Sequence, residues 1–145
     1  MTPDSLIENN KEIACRFLNL VSEGNEDAIC QMITPTWKMY GGPPDLPEGP
    51  EGIRKLFEHL RTVQKQLWTI DDVFAEDNKV VTRATNHCTQ DSFFGIPGNG
   101  VEQVFRAMFI HYIEDGKIAE TYRNADDLGR VFQLGGQVVQ NTLYS

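Results

Sequence analysis

The second half of the chain contains four segments that read as β-strands, and their pairing restricts the fold more than any other feature of the sequence. Valine, threonine and aromatic residues are frequent in these segments, and clusters of Gly, Asn, Asp and Pro separate them. Asp115 and Gly116 form a strong hairpin signal, because a type I′ turn requires positive φ at both central positions. The sequence therefore predicts an antiparallel sheet with strands at residues 68–75, 80–90, 101–113 and 117–126.

The first half of the chain favours helices. Apolar residues recur at helical spacing in residues 5–23, and Gly24 is a natural helix end. A short helix is expected over residues 26–32, and a third helix from Pro50, since proline suits the first turn. Residues 41–50 contain four prolines, which predicts an irregular loop. Helices followed by antiparallel strands indicate an α+β fold, in which the helices cover one face of the sheet.

Length, charge and cysteine content limit the classes of function. A chain of 145 residues suits one domain, which we expect to span residues 1–145. The net charge of −8 argues against nucleic acid as a partner, because phosphate binding needs clustered Lys and Arg. No apolar run is long enough for a membrane span and no signal peptide is visible, so we expect no membrane partner. Three widely spaced cysteines predict reduced thiols rather than disulfides, which favours a cytoplasmic protein.

The hairpin turn also predicts which side chains share one face of the sheet. In an ideal register Glu114 pairs with Lys117, which places His111 opposite Glu120. The resulting face carries Phe105, Ala107, Phe109, His111, Glu120, Tyr122, Asn124 and Asp126. Two phenylalanines beside several polar groups fit neither a dry core nor an open surface. The pattern therefore predicts a partly wet pocket on this face.

Asp126 is the first candidate for catalysis on this face. Burial among apolar side chains raises the pKa of a carboxyl group, which suits a general acid or base near neutral pH. His111 and Tyr122 are the candidate partners, and Glu120 opposite His111 would favour the protonated imidazole. An alternative stays open, in which Asp126 caps a C-terminal helix that starts near Asp127.

Six further residues are candidates for substrate contacts. They are Phe105, Phe109, Asn124, Tyr40, Trp37 and His87. Trp37 and Tyr40 precede the proline-rich loop, where they would either line the mouth of a pocket or fill the core. His87 lies on the second predicted strand, where a structural histidine is the favoured alternative. No spacing typical of a metal site or of a phosphate-binding loop occurs, so we expect no metal and no organic cofactor.

Several short motifs resemble, in the same order, those of the SnoaL-like polyketide cyclase family, which belongs to the nuclear transport factor 2-like superfamily. The motifs are residues 10–13, 16–18, 49–54, 94–97, 114–120, 126–129 and 132–135. The resemblance implies a cone-shaped α+β barrel, in which a curved, mostly antiparallel sheet and three N-terminal helices enclose a pocket. It also implies a homodimer formed through the sheet and a proton-transfer role for Asp126.

The chain departs from the family pattern around this aspartate. Tyr122 stands where the family usually has a tryptophan, and residues 88–90 replace a segment that often contains a histidine. Residues 39–40 are Met-Tyr where an Asp-His pair is common. The proton-transfer residue is therefore kept while its surroundings differ, which leaves the substrate open.

The sequence thus predicts a cofactor-independent acid–base enzyme that acts on a hydrophobic, carbonyl-bearing small molecule such as a polyketide or terpenoid intermediate. The reaction would be a polyketide cyclase-like intramolecular aldol condensation or a related isomerisation. Asp126 would move the proton, and His111 or Tyr122 would bind the enolate oxygen. Two alternatives stay open, a non-catalytic ligand-binding or dimerisation module and a hydrolase or dehydratase, because fold does not fix function.

Overall fold

The computed structural model describes residues 2–140 of the chain. The helices are α1 (Pro3–Glu23), α2 (Glu26–Gln31), α3 (Pro50–His59) and α4 (Asp127–Gln133). The strands are β1 (Ile33–Tyr40), β2 (Val63–Glu76), β3 (Lys79–Gln90), β4 (Ser92–Phe93), β5 (Ile96–Pro97), β6 (Gln103–Glu114) and β7 (Lys117–Ala125). The three N-terminal helices and the four long strands after them agree with the prediction. Strand β1 and the short β4–β5 hairpin are not predicted by the sequence pattern.

Helix α1 begins and ends at local signals in the sequence. The Thr2 hydroxyl accepts a hydrogen bond from the Ser5 N–H at 3.1 Å, and Pro3 occupies the first turn, where no N–H is needed. Gly24 ends the helix with a φ of 72°, a left-handed conformation that costs glycine little. The apolar stripe of α1 packs on β2 and β3. No helix within residues 2–140 has the length and apolar character that a membrane crossing requires.

The five long strands form one curved sheet in the order β1-β7-β6-β3-β2. Strands β1 and β7 run parallel, and the other neighbouring strands run antiparallel. Helices α1 and α3 pack on one face of the sheet, which we call the inner face, and the hydrophobic core lies between these two layers. The predicted α+β cone fold is therefore confirmed, with a sheet that curves around its contents but does not close on itself.

Strand β1 lies at one edge of the sheet and contains Pro35. Proline is tolerated there because an edge strand needs hydrogen bonds on one side only. The register of β1 with β7 is interrupted between Ile33 and Lys38, so the side chains do not alternate regularly. A proline together with a missing alternation explains why the sequence pattern does not predict a strand here.

The β6–β7 hairpin begins as predicted. Its turn is formed by Asp115 and Gly116, and Glu114 pairs with Lys117. Both turn residues have positive φ, at 48° and 77°. The hairpin signal therefore places the turn and its first pair correctly.

A β-bulge then changes the register of this hairpin. Tyr112 pairs with Glu120, so Ala119 is the extra residue on β7. Because strand side chains alternate, a shift of one residue moves every later side chain to the opposite face. His111 pairs with Thr121, and the predicted pairing of His111 with Glu120 is wrong.

Helix α4 packs against the part of β6 that β7 does not reach, since pairing with β7 starts at Ala107. The Gln133 side-chain amide donates a hydrogen bond to the Val104 carbonyl at 2.7 Å and accepts one from the Val104 N–H at 2.8 Å. The Asp126 N–H donates to the Arg106 carbonyl at 3.0 Å. These bonds fix both ends of α4 against the sheet and position its inward side chains.

Candidate functional site

A cavity of about 400 Å³ lies between the inner face of the sheet and helices α1 and α3, and we call it the pocket. The loop at residues 41–44 and the β4–β5 hairpin also border it. Its size suits a small organic molecule, as does its combination of apolar walls with a few polar groups. A second depression of about 500 Å³ at the end of α1 is lined mainly by polar and charged side chains. The pocket is therefore the better candidate site.

Three aromatic side chains form the apolar wall of the pocket. Trp68 on β2 packs edge-on against Phe105 and Phe109 on β6, with ring centroids 5.5 and 5.4 Å apart. All three are buried, and strand alternation brings them to the inner face. The sequence places Phe105 and Phe109 on a pocket face, and the structure has them there. Their contact with a substrate stays a prediction.

Three charged side chains form another part of the pocket wall, and we call them the charged cluster. Arg123 on β7 makes a bidentate ion pair with Asp127 on α4, with both N–O distances at 2.9 Å. Arg130, one helical turn further on, donates to the same carboxylate at 3.3 Å. Arg123 also donates to the Gly41 carbonyl at 3.0 Å, which connects the cluster to the loop at residues 41–44.

The charged cluster carries a net positive charge. Burial raises the pKa of the Asp127 carboxyl, but the hydrogen bonds and charges of Arg123 and Arg130 outweigh burial and hold the pKa below its usual value. Burial lowers the pKa of Arg130, yet a guanidinium keeps its proton under all ordinary conditions. At neutral pH one carboxylate therefore stands against two guanidinium groups.

Arg130 is the most enclosed member of the cluster, with 8% of its surface exposed. Its Nε donates to Gln103 Oε1 at 3.0 Å, and its Nη2 donates to Gln90 Oε1 at 3.3 Å. The guanidinium lies over the rings of Phe93 and Phe105, with Cζ at 3.7 and 4.3 Å from the ring centroids. Hydrogen bonds and cation–π contacts together fix this group in one orientation at the pocket wall.

Two buried amides on β3 add to the polar groups around the pocket. Asn86 and Gln90 both line it, and Asn86 donates to Gln66 Oε1 at 3.4 Å. Among residues 2–140 neither Asn86 Oδ1 nor Gln90 Nε2 has a hydrogen-bond partner. An unpaired buried polar atom destabilises a protein, and such atoms in native structures call for an explanation such as a functional role.

Asp126 does not lie in the pocket. Its side chain is exposed, and Oδ1 accepts a hydrogen bond from the Gly129 N–H at 2.9 Å as the N-cap of α4. The predicted position beside Phe105 is wrong, because β7 ends at Ala125 and the chain turns directly into the helix. The alternative geometry, a helix cap, is the one observed. A catalytic role of Asp126 stays a prediction, and the carboxylate at the pocket wall is that of Asp127.

His111 is sealed in the core, away from the pocket. Burial lowers the pKa of its imidazole to about 3. Its Nδ1 lies 2.9 Å from Thr121 Oγ1, and Trp37 Nε1 donates to the same oxygen at 3.0 Å. The expected protonated imidazole beside Glu120 is wrong, since the bulge places neutral Thr121 there instead. We call Trp37, Thr121 and His111 the sealed cluster, and Trp37 fills the core rather than a pocket mouth.

Three other candidate residues lie on the outer face of the sheet. Tyr122 stacks on Tyr40 with ring centroids 4.6 Å apart, and Asn124 is exposed. The predicted pocket positions of Tyr122 and Asn124 are wrong, because the extra residue Ala119 reverses their direction. Tyr40 does not line the pocket mouth either, since it pairs with Tyr122 across the sheet.

His87 is also on the outer face, exposed, with its Nδ1 at 3.1 Å from Glu102 Oε1. His87 therefore does not line the pocket, and the favoured alternative of a structural histidine agrees with this surface pair. A substrate contact of His87 stays a prediction. Its neighbours in the strand are the ones that face inward. Side chains alternate along β3 from buried Val80, which brings Asn86 and Gln90 to the inner face. Polar residues at these inward positions were the sequence signal that could have identified both as pocket residues.

A sequence profile described as the SnoaL-like domain matches residues 14–121, from the middle of α1 into β7. The chain belongs to the SnoaL-like family. The match includes most of the sheet, and ends before the two residues that α4 contributes to the charged cluster. A comparison with curated proteins gives no match.

Solved structures show the same SnoaL-like fold. TsrD from Streptomyces laurentii is 27% identical with a TM-score of 0.78, and the alignment covers 94% of this chain and 99% of TsrD. A proposed polyketide cyclase from Bacillus cereus is 26% identical with a TM-score of 0.72, over 88% of this chain and 80% of its own. A proposed polyketide cyclase from Acidithiobacillus ferrooxidans is 25% identical with a TM-score of 0.78, over 93% and 98%.

Proposed function

We propose that the chain is a cofactor-independent acid–base enzyme acting on a hydrophobic, carbonyl-bearing small molecule. The reaction class is a polyketide cyclase-like intramolecular aldol condensation or a related isomerisation in secondary metabolism. The observation that carries the proposal is a pocket in which aromatic walls meet a carboxylate held between two guanidinium groups. Family membership and the proposed activities of two structural relatives support it.

The free thiols of Cys15, Cys30 and Cys88 suit a reducing compartment, and we propose the cytoplasm.

In this proposal Asp127, rather than Asp126, takes the proton. A C–H bond next to the substrate carbonyl breaks, its electron pair moves to the carbonyl oxygen, and the proton goes to the Asp127 carboxylate. Protonation weakens the ion pairs of Asp127 with Arg123 and Arg130, so their N–H groups become free to bind the new enolate oxygen. The buried aromatic wall excludes water from the reacting atoms.

The test is deuterium exchange at the acidic C–H groups of 2-tetralone, a hydrophobic ketone, followed by NMR in D₂O. Wild-type protein is expected to accelerate exchange. Asp127→Asn is expected to reduce the acceleration by roughly 10²–10⁴, the usual contribution of a general base. Asp126→Asn is the matched control, because asparagine caps a helix as well as aspartate does, and exchange should be unchanged.

Two outcomes would contradict this assignment. Loss of exchange in Asp126→Asn with retention in Asp127→Asn would return the proton-transfer role to Asp126. Binding of 2-tetralone without any exchange in wild type would favour a non-catalytic binding module of the same fold. The double ion pair of Asp127 is the observation that favours this second candidate, because it holds the carboxyl pKa low and makes the carboxylate a weak base.

We further propose that the chain forms a homodimer through the outer face of the sheet. Met108 and Ile110 on β6 and Phe74 on β2 are exposed apolar side chains on this face, and large apolar groups in one region favour association. Met108→Glu is expected to shift the protein from dimer to monomer in analytical ultracentrifugation. Leu6→Glu is the control, because Leu6 is an exposed apolar residue on α1 and not on the sheet. Equal effects of the two changes would contradict the proposed interface.

A further inference from the structure

The charges around the pocket do not balance. Among the pocket-lining side chains of the described chain, Arg123, Asp127 and Arg130 are the Arg, Lys, Asp and Glu side chains, and His59 lines the pocket from α3. Burial raises the pKa of the Cys88 thiol, so this pocket neighbour of Arg130 stays neutral and supplies no counter-charge. The charged cluster therefore keeps one positive charge, inside a protein whose net charge is −8.

The hydrogen bonds of the cluster leave more donors than acceptors. Asp127 Oδ1 accepts from both arginines and Oδ2 accepts from Arg123, so one acceptor site is left on Oδ2. Arg130 makes one hydrogen bond through each of its three nitrogens, and each Nη carries a second N–H. A ligand that meets this wall therefore finds donors on a guanidinium, a geometry that suits a planar group with two oxygens.

The surroundings of Arg130 compensate its charge only in part. The rings of Phe93 and Phe105 attract the guanidinium through cation–π contacts, and the glutamines accept its hydrogen bonds without carrying charge. A buried cation that lacks a full counter-charge is costly, and an anionic ligand group would remove this cost on binding. The same rings offer a flat surface beside the charge.

We propose that the pocket selects a flat aromatic acid, whose carboxylate is bound by the charged cluster and whose ring system packs on the aromatic wall. The inference rests on the proposed function, because it names the substrate class of the same site. It goes further in requiring an anionic group that is present before any reaction, in addition to the carbonyl that reacts.

The test compares 2-naphthoate with 2-naphthamide, which have nearly the same shape and differ in charge. Isothermal titration calorimetry at pH 7 is expected to show about tenfold tighter binding of the acid, equivalent to one charge-assisted hydrogen bond. Asp127→Asn raises the positive charge of the pocket and is expected to bind 2-naphthoate tighter still. Arg123→Gln lowers it and is expected to bind the acid more weakly, while affinity for the amide changes little in both variants.

The outcomes separate this inference from the proposed function. Equal affinity for acid and amide, or preference for the amide, would overturn the acid inference and leave a hydrophobic ligand site in place. Absence of binding by either compound, and by 2-tetralone, would overturn both. Weaker binding of 2-naphthoate by folded Asp127→Asn would also overturn the inference, because a purely structural role of the ion pair predicts loss and not gain. Thermal melts establish whether each variant is folded. If a variant is not folded, the affinities of the wild-type protein for the acid and the amide decide the inference.

Discussion

Two polar clusters include inward side chains of β7, and one is neutral and sealed while the other is charged and borders the pocket. The sealed cluster joins Trp37, Thr121 and His111 in a neutral chain of hydrogen bonds with no access to the pocket. The charged cluster joins Arg123 and Arg130 to one carboxylate and borders the pocket. Thr121 and Arg123 are two residues apart on β7 and both face inward, yet their side chains lie in different environments.

This difference indicates which part of the site is structural and which is available for chemistry. In the sealed cluster burial keeps His111 neutral, and the group has no route by which to exchange a proton with a ligand. In the charged cluster each charge is held by hydrogen bonds at the wall of a cavity. A buried histidine in a chain of this fold is therefore a weaker catalytic candidate than a partly compensated charge beside a pocket.

The largest expected effect comes from Thr121→Val, which removes the centre of the sealed cluster at almost constant shape. The Trp37 N–H and His111 Nδ1 would both lose their partner inside the core. Two unpaired buried groups cost about 4 kcal/mol of unfolding free energy together. Urea unfolding measures this loss.

Thr82→Val is the matched control for this change. Thr82 is also buried on the inner face, but its hydroxyl has no partner among residues 2–140. Its replacement should be neutral or stabilising by about 1 kcal/mol. Similar losses for the two variants would mean that the hydrogen bonds of the sealed cluster contribute nothing beyond packing.

The second-largest expected effect is a loss of stability at low pH, which arises from His111 in the sealed cluster. The folded-state pKa of His111 is about 3, below its value of about 6.5 in the unfolded chain, so the unfolded state binds the proton first. The stability from keeping His111 neutral is fully present above pH 6.5 and is lost as the pH falls. The slope of the unfolding free energy should approach roughly 1.4 kcal/mol per pH unit below pH 6, for a loss of about 2 kcal/mol from pH 6.5 to pH 4.5.

Urea unfolding as a function of pH checks this slope in three proteins. His111→Leu should lose it, whereas His59→Asn should keep it, because His59 is exposed on α3. A slope that survives unchanged in His111→Leu would show that another group titrates and that the sealed cluster is not the acid-sensitive part.

The smallest expected effect concerns the helix that carries half of the charged cluster. Asp126→Ala removes the N-cap of α4 and is expected to cost about 1 kcal/mol, while the charges of Asp127 and Arg130 remain. Thermal unfolding measures the loss, and calorimetry with 2-naphthoate should show unchanged affinity. A loss of affinity much larger than the loss of stability would place Asp126 in the ligand site after all.

The sequence predicts the layers of this fold better than the faces of its strands. Helix spacing in α1, the proline-rich loop and the Asp115-Gly116 turn are local signals, and each element forms where its signal lies. The family resemblance then supplies the cone-shaped arrangement, and the structure has it. The helix, the loop and the turn depend on short stretches of chain, which is why they can be predicted from a single sequence.

The candidate site depends on one residue that has no sequence signal. Ala119 is an ordinary strand residue in the pattern, yet as a bulge it reverses every later side chain of β7. Tyr122 and Asn124 therefore turn outward, and Arg123 turns into the pocket. The identity of the pocket carboxylate depends in turn on where β7 ends and α4 begins, and helix and strand ends are the least certain part of a pattern-based prediction.

The way in which α4 meets β6 has a consequence for association between chains. The stretch of β6 before Ala107 extends past β7 and would otherwise present free backbone donors and acceptors, a template on which another chain could add a strand. The Gln133 amide acts there as a surrogate peptide group, and the Asp126 N–H covers the next carbonyl. One glutamine side chain thus occupies the Val104 N–H and C=O at this edge, and Gln133→Leu would expose them to pairing with another chain without touching the pocket.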